Sequence, residues 1–263
     1  MVDITPAKPF YSVLVLAFVC SALVAGAAVG LRPKQEANRQ LDRQKNILYA
    51  AGIFDPDKPI AEQFANIETR VVELKTGKFV DPALIDPQSY NQRRAAYTSD
   101  LGTVIPRDED TAGITRQERY SLVYLVKKDD RLAEVVLPVR GKGLWSTMYA
   151  YVAVDADLTT VRGVSFYEHG ETPGLGGEVA NRTWENTWQG KELYKDDRVA
   201  LRLTKGGVDP TSADAPYQID GLSGATLTSK GVSHLLEFWF GEHGFKPFFQ
   251  RLASTAGTGS PQT

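Results

Sequence analysis

The fold is decided by a stretch in the middle of the chain that reads YSLVYLVKKDDRLAEVVLPVRG, from Tyr120 to Gly141. Two short apolar runs flank a Lys-Lys-Asp-Asp turn, and this pattern is typical of a β-hairpin. A second pair of apolar runs follows, MYAYVAVDADLTTVRGVSFYEH, from Met148 to His169 around the polar segment DADLTT. Two successive hairpins predict a central sheet that is mainly antiparallel.

Helical periodicity appears later in the chain. In SKGVSHLLEFWFGEHG, from Ser229 to Gly244, apolar side chains follow the i, i+3, i+4, i+7, i+8 spacing of an amphipathic helix. Shorter patterns predict a helix over 60–68 and strands over 70–74 and 199–203, whereas 81–101 is polar and proline-rich and predicts irregular structure. We therefore expect an α+β fold in which helices flank the antiparallel sheet of a single domain.

The N-terminal region has a different character from the rest. It reads FYSVLVLAFVCSALVAGAAVGL from Phe10 to Leu31, without a charged residue, and about 20 apolar residues suffice to span a bilayer. A cleaved secretory signal is the alternative, because Ala25–Ala27 resembles a cleavage site, but the apolar run continues beyond it. The length favours a retained transmembrane helix.

These patterns divide the chain into five segments. They are a short N-terminus (1–9), a transmembrane helix (10–31), a juxtamembrane helix and connection that Gly52 interrupts (32–59), the α+β domain (60–252) and a disordered tail (253–263). Basic residues follow the span more often than they precede it, which by itself would place the large domain in the cytoplasm. Large domains can cross a membrane regardless of nearby charge, so the charge count is weak evidence for topology.

The composition excludes several classes of function. Thirty Lys and Arg balance 32 Asp and Glu, so the chain lacks the basic surface of a nucleic-acid-binding protein. The single cysteine, Cys20, excludes an internal disulfide and a cysteine-ligated cluster within this chain. The three histidines are scattered, and we predict no metal site.

A hydroxyl-rich loop, DGLSGATLTSKG from Asp220 to Gly231, immediately precedes the amphipathic helix. Thr228 or Ser229 is suited to cap that helix, whose first turn would stabilise an anion such as a phosphate. An ordinary capped turn is the alternative reading. The loop lacks the Gly-Lys-Ser/Thr of a P-loop, the G-x-S-x-G of a nucleophile elbow and the S-x-x-K of a serine acyl enzyme, and GLGGEV from Gly174 lacks the third glycine of a dinucleotide-binding fingerprint.

Three further segments share the composition of ligand-binding turns. They are YEHGETPGLGGE from Tyr167 to Glu178, GKGLWS from Gly141 to Ser146, and TKGG from Thr204 to Gly207. Each alone is typical of a plain turn, but glycine lets the backbone approach a ligand and Trp145 can cover an aromatic face. The four loops together predict a site for a planar, phosphorylated cofactor.

The sequence DGLSGATLTS resembles the flavinylation motif Asp-x-x-Ser/Thr-Gly-Ala-Thr-x-Ser/Thr of the FMN-binding domain family, and EHGETPGLG and GLW resemble its companion motifs in matching order. Over nearly its full length the chain resembles the C subunits of Na+-translocating NADH:quinone reductases. This resemblance implies FMN as a covalent cofactor, joined by a phosphoester to Thr226. A separate flavin transferase, which uses FAD and Mg2+, would form the bond.

The resemblance also implies which residues surround the flavin. Asp220, Ser223 and Thr228 belong to the motif, and Lys205 would pair with a negatively charged flavin. Ser229 is expected to cap the helix, and the chain is expected to contribute no catalytic residue and no metal ligand. The complete set of residues expected to bind the cofactor is Trp145, Glu171, Thr172, Leu175, Gly176, Lys205, Asp220, Ser223, Gly224, Ala225, Leu227 and Thr228.

The function implied by the resemblance is electron transfer between neighbouring subunits of a Na+-pumping NADH:ubiquinone oxidoreductase. It places the FMN-binding domain of residues 60–252 on the periplasmic side of the bacterial inner membrane and residues 1–9 in the cytoplasm. The chain has no nicotinamide site, so another subunit would oxidise NADH, and its span carries no carboxylate for a sodium path. Three alternatives remain: the G subunit of an Rnf-type ferredoxin:NAD+ complex, a membrane-anchored serine hydrolase using Ser223 and His169, and a scaffold without a cofactor.

Overall fold

The computed structural model describes residues 7–129 and 131–257, and the chain divides into two compact units, 1–44 and 45–263. Helix α1 (Ala7–Ala50) contains the predicted span, and among the described residues it is the one helix long and apolar enough to cross a membrane. The predicted span and juxtamembrane helix are thus one continuous helix. Residues 1–6 of the predicted N-terminus lie outside the described residues.

Helix α1 ends where the sequence places a glycine. Gly52 has a φ of +67°, its N–H donates to the carbonyl of Tyr49, and the N–H of Ile53 donates to the carbonyl of Leu48. This pair of hydrogen bonds is the Schellman arrangement, which needs a left-handed residue after the helix. Glycine adopts that conformation without strain, and the predicted stop is confirmed.

The predicted antiparallel sheet is confirmed and has six strands. Its order is β2-β1-β5-β6-β7-β8, and every neighbouring pair is antiparallel. The strands are β1 (Ile67–Glu73), β2 (Lys78–Phe79), β5 (Tyr120–Lys128), β6 (Arg131–Lys142), β7 (Thr147–Asp155) and β8 (Val161–Glu168), while β3 (Gly102–Val104) and β4 (Arg116–Glu118) form a separate antiparallel pair. The hairpins β5–β6 and β7–β8 are those that the sequence predicts.

The remaining helices and strands are short apart from α5 and α6. They are the helices α2 (Ile60–Phe64), α3 (Gln92–Ala95), α4 (Arg182–Glu185), α5 (Thr226–Phe240) and α6 (Lys246–Gly257), and the two-residue strands β9 (Tyr194–Lys195), β10 (Arg198–Val199), β11 (Arg202–Leu203) and β12 (Gln218–Ile219). Both faces of the sheet are buried. One face packs with Leu235 and Trp239 of α5, and the other packs with Ile47 and Leu48 at the end of α1.

Four local predictions need correction. The predicted helix over 60–68 ends at Phe64, because the chain is already extended in β1 from Ile67. The predicted strand over 199–203 is divided between β10 and β11, which pair with different neighbours. The irregular stretch 81–101 contains the single turn of α3. Helix α6 continues through 253–257, which the sequence assigns to a disordered tail, and 258–263 lie outside the described residues.

The contact between α5 and β6 leaves no room for a side chain at Gly231. A Cβ there would overlap the carbonyl oxygen of Lys142. In an exposed helix, Gly→Ala stabilises by about 1 kcal/mol, whereas forcing atoms into a packed interface costs about 1–3 kcal/mol.

We therefore expect Gly231→Ala to lower the free energy of unfolding, measured by urea denaturation. Its exposed neighbour provides the control, since Lys230→Ala is expected to change stability by less than about 0.5 kcal/mol. An increase in stability in Gly231→Ala would show that the helix and the strand are not in close contact.

Glu134 is a buried carboxylate at one end of the sheet. It pairs in register with Asp155, its side chain lies 3.7 Å from the Nε of Arg162, and its Oε2 accepts no hydrogen bond from any described residue. Burial raises the pKa of Glu134 to about 7; Arg162 opposes the rise and Asp155 adds to it.

The pKa of Glu134 predicts a loss of stability at higher pH. Its folded-state pKa lies above the unfolded value of about 4.3, so its contribution is complete below the unfolded value and is lost as pH rises through about 7. We expect Glu134→Gln to raise the free energy of unfolding by about 2 kcal/mol more at about pH 8 than at about pH 5. An equal effect at both pH values in urea denaturation would contradict the assignment.

Candidate functional site

Four loops meet at the N-terminus of α5. The Gly221 N–H donates to the carbonyl of Gly206 over 2.9 Å, which joins the 204–207 turn to the hydroxyl-rich loop. The side chain of Asp220 accepts from the Val208 N–H over 2.7 Å and holds the end of the same turn. The 143–146 and 171–177 loops meet the first turn of α5 through Glu171, so the four segments singled out in the sequence come together in space.

Helix α5 begins earlier than the sequence indicates. Its first residue is Thr226, Ala225 is the N-cap, and no side chain of the described residues caps the helix. The expectation that Thr228 or Ser229 caps it is wrong, because the Ser229 hydroxyl accepts from the Leu222 N–H over 3.0 Å. The N–H groups of the first turn have no partner within the helix and are suited to bind an anion.

The three other hydroxyls of the motif have different surroundings. Thr226 and Ser223 are exposed, and neither hydroxyl makes a hydrogen bond within the part of the chain that the structure describes. Thr228 is 1% exposed, and its Oγ1 donates to Oε2 of Glu171 over 2.6 Å. Thr226 alone combines an available hydroxyl with a place on the first turn of α5.

Glu171 joins three of the four loops. Its Oε1 accepts from the N–H groups of Trp145 (2.9 Å) and Ser146 (3.3 Å), and its Oε2 accepts from the Leu144 N–H (3.1 Å) and the Thr228 hydroxyl. Burial favours the neutral acid, but these four hydrogen bonds outweigh it and lower the pKa of Glu171. The residue is 4% exposed, so its carboxylate contacts other protein groups rather than solvent.

Glycines make this close arrangement possible. A Cβ on Gly176 would lie 2.6 Å from Oγ1 of Thr228 and 3.0 Å from Oε2 of Glu171. A Cβ on Gly224 would lie 2.9 Å from Cδ2 of Leu175, and Gly224 has a φ of +70°. These positions require glycine for space and, at Gly224, also for backbone conformation.

Exposed apolar side chains lie on the same loops. Leu144, Trp145, Leu175 and Leu227 have exposed fractions of 44, 66, 44 and 57%. Thr172 and Lys205 are also exposed, whereas Ala225 is buried. Exposed apolar groups concentrated on loops that meet indicate a binding surface.

Sequence reasoning missed three residues of the site. Leu144 adds a second exposed apolar side chain beside Trp145. Ser146 Oγ accepts from the Gly170 N–H over 2.6 Å, and the Nε1 of Trp184 donates to the carbonyl of Asp220 over 2.9 Å. Leu144 and Ser146 lie inside the GKGLWS segment, so the sequence could have predicted them as site residues. Trp184 lies in no segment whose composition indicates a binding loop.

The loops combine exposed apolar side chains with the N-terminus of α5, an arrangement suited to a flat phosphorylated ligand. The model of the FMN-binding domain matches residues 143–241, which contain three of the four loops in full, the fourth from Gly143 onward, and α5. The fold and the site therefore define an FMN-binding domain preceded by an apolar helix.

Relatives that match over most of the chain narrow this class. The C subunit of the Na(+)-translocating NADH-quinone reductase of Pseudomonas aeruginosa is 50% identical over 244 residues, 91% of this chain and 93% of that protein. The protein of the same name from Vibrio alginolyticus is 46% identical over 242 residues, 91% of this chain and 92% of that protein. The chain belongs to the family formed by the C subunits of Na(+)-translocating NADH-quinone reductases.

A solved structure agrees with this assignment. The crystal structure of NqrC from Shewanella oneidensis superposes with a TM-score of 0.76 at 36% identity, and the match covers 83% of this chain and 99% of that one. The α+β fold predicted from the sequence is confirmed by this similarity.

Proposed function

We propose that this chain is the electron-transfer subunit of a Na+-pumping NADH:ubiquinone oxidoreductase and that it carries FMN as a phosphoester on Thr226. Family membership supports the complex and the cofactor. The observation that carries the attachment site is the exposed hydroxyl of Thr226 on the first turn of α5, where no described residue bonds to that hydroxyl or caps the helix through its side chain.

The geometry fits a phosphodiester at this position. In the attachment step the Thr226 oxygen forms a bond to the FMN phosphorus of FAD, the pyrophosphate bond breaks, AMP leaves and the hydroxyl proton is released. The product keeps one negative charge, which the N–H groups and dipole of the first turn stabilise. We propose that a separate flavin transferase performs this step.

The surrounding residues then have distinct roles. Trp145, Leu175 and Leu227 provide apolar contact for the ring, and Lys205 provides a positive charge on the neighbouring turn. Asp220 holds that turn through Val208. When bound, FMN supplies the electron-transfer chemistry, and the protein orients and screens it.

The proposed location rests on the apolar helix for the span and on the family resemblance for the membrane and its side. Helix α1 would cross the bacterial inner membrane once, with the FMN-binding domain on the periplasmic side and 1–9 in the cytoplasm. Other subunits of the complex would donate and accept electrons and oxidise NADH. A covalent bond would prevent the cofactor from being lost from a domain that faces outside the cell.

The alternatives are less well supported. The relatives at 44–50% identity bear the name of the C subunit, which disfavours the G subunit of an Rnf-type complex. In a serine hydrolase Ser223 would donate to a histidine, but within the described residues Ser223 has no such bond, and His169 Nδ1 accepts from the Glu171 N–H over 3.3 Å. The family match to an FMN-binding domain disfavours a scaffold without a cofactor.

The proposal is tested in the whole membrane complex. After rapid mixing with NADH, the flavin attached to this chain should become reduced and then reoxidised when ubiquinone is added. A flavin that is covalently attached but stays oxidised throughout turnover would contradict an electron-transfer role.

A further inference from the structure

The carboxylate of Glu171 is buried between two of the loops that form the proposed flavin site. It is 4% exposed and follows β8 at the start of the 171–177 loop. The four hydrogen bonds that it accepts come from two other segments, three from the backbone of 144–146 and one from Thr228. This residue therefore fixes the relative position of the Trp145 turn and the first turn of α5.

We propose that Glu171 is a positioning residue: through Thr228 and the 144–146 backbone it holds Trp145 at a fixed place over the flavin attached to Thr226. This inference rests on the proposed function. Thr228 follows Thr226 by two residues, so the two side chains lie on nearly opposite sides of α5. The buried side of the turn is held by Glu171, and the exposed side is left for attachment.

Only a carboxylate can make this set of contacts. It accepts hydrogen bonds at both oxygens and donates none, which matches three N–H groups and one hydroxyl. Glutamine has nearly the same shape, but its NH2 group would face an N–H or O–H donor. Gly143 and Gly176 crowd the two oxygens, since a Cβ on either residue would lie within 3.0 Å of the carboxylate. The side chain of a glutamine at position 171 therefore has little room to rotate its NH2 group away from these donors.

Flavin emission reports the position of Trp145, because an indole that stacks on the ring quenches it. We would compare Glu171→Gln, Thr228→Val, Thr228→Ser and a matched control, Glu178→Gln, each as the full chain made together with a flavin transferase. Glu178 lies in the same region and its carboxylate accepts from Asn181 Nδ2 over 2.7 Å. Fluorescence of the denatured protein measures how much flavin is attached. The ratio of native to denatured fluorescence then measures how strongly the attached flavin is quenched.

We expect native emission per attached flavin to rise roughly threefold in Glu171→Gln and in Thr228→Val. It should stay at the parent value in Thr228→Ser and in Glu178→Gln. Trp145→Phe should raise it similarly, and adding Glu171→Gln to Trp145→Phe should cause no further rise. Should Glu171→Gln fail to fold, Thr228→Val breaks the same contact and decides the question.

Parent-like quenching in Thr228→Val, or an additive rise in the Trp145→Phe background, would overturn the positioning role. Loss of attachment in both Glu171→Gln and Thr228→Val, with Thr228→Ser normal, would support it, because Thr226 shares the turn that they hold. Loss in Glu171→Gln alone would overturn it. A parent chain without fluorescence after denaturation would instead contradict the proposed function on which the inference rests.

Discussion

Replacing Thr226 by valine is expected to remove the covalent flavin completely. Valine keeps the branched shape but has no oxygen to form the ester, and the exposed first position of α5 imposes no packing cost. When the variant is made together with a flavin transferase, unfolded and separated by electrophoresis, its band should show no flavin fluorescence. The parent band should fluoresce.

A neighbouring hydroxyl provides the matched control for this substitution. Ser223 is exposed, lies in the same loop and makes no hydrogen bond within the described residues. Ser223→Ala should keep the fluorescent band, because the attachment oxygen is unchanged. A fluorescent Thr226→Val together with a dark Ser223→Ala would move the attachment site to Ser223.

The largest stability effect is expected at a buried ion pair that joins strands β6 and β4. Nη2 of Arg140 lies 2.6 Å from Oε2 of Glu118, and the two side chains are 9% and 0% exposed. The contact is an ion pair without hydrogen-bond alignment, and neither Glu118 oxygen has a hydrogen-bond partner among the described residues. Removing the arginine leaves a buried, unpaired charge, so Arg140→Ala should lower the free energy of unfolding by about 3–5 kcal/mol.

Two comparisons isolate the cause of this loss. Replacing both partners, with Arg140→Met and Glu118→Leu, should recover most of the stability, because no charge then remains buried. At the exposed pair of Lys195 and Asp214, where solvent screens the attraction, the change Asp214→Asn should cost far less than Arg140→Ala. The free energy of unfolding would be measured by urea denaturation. A decrease in Arg140→Ala as small as that in Asp214→Asn would contradict a buried, unpaired charge as the cause.

The sequence predicts those parts of the fold that have a regular period. The two hairpins and α5 are predicted because apolar residues recur with the spacing of strands and helices over many residues. The segment 199–203 is too short to show such a period. It is divided because β10 pairs with Tyr194 and Lys195 of β9, whereas β11 pairs with β12. Short elements of this kind depend on tertiary contacts that a local pattern does not contain.

The loops of the site were predicted, but the direction of some side chains was not. Ser and Thr favour N-caps, which suggested a helix start at Thr228 or Ser229. Both side chains instead bond outside the helix, Thr228 to Glu171 and Ser229 to Leu222. Glu171 was expected to line the flavin; the structure buries its carboxylate against groups 25–57 positions away in sequence, a separation that no local pattern spans.

The proposed function depends on a bond between the Thr226 oxygen and the phosphate of FMN. The most direct measurement is fragmentation mass spectrometry of the tryptic peptide 206–230 from the full chain matured with its flavin transferase. We expect the mass of FMN less one water on Thr226, and unmodified Ser223, Thr228 and Ser229. An unmodified peptide, or the added mass on any other residue, would contradict it.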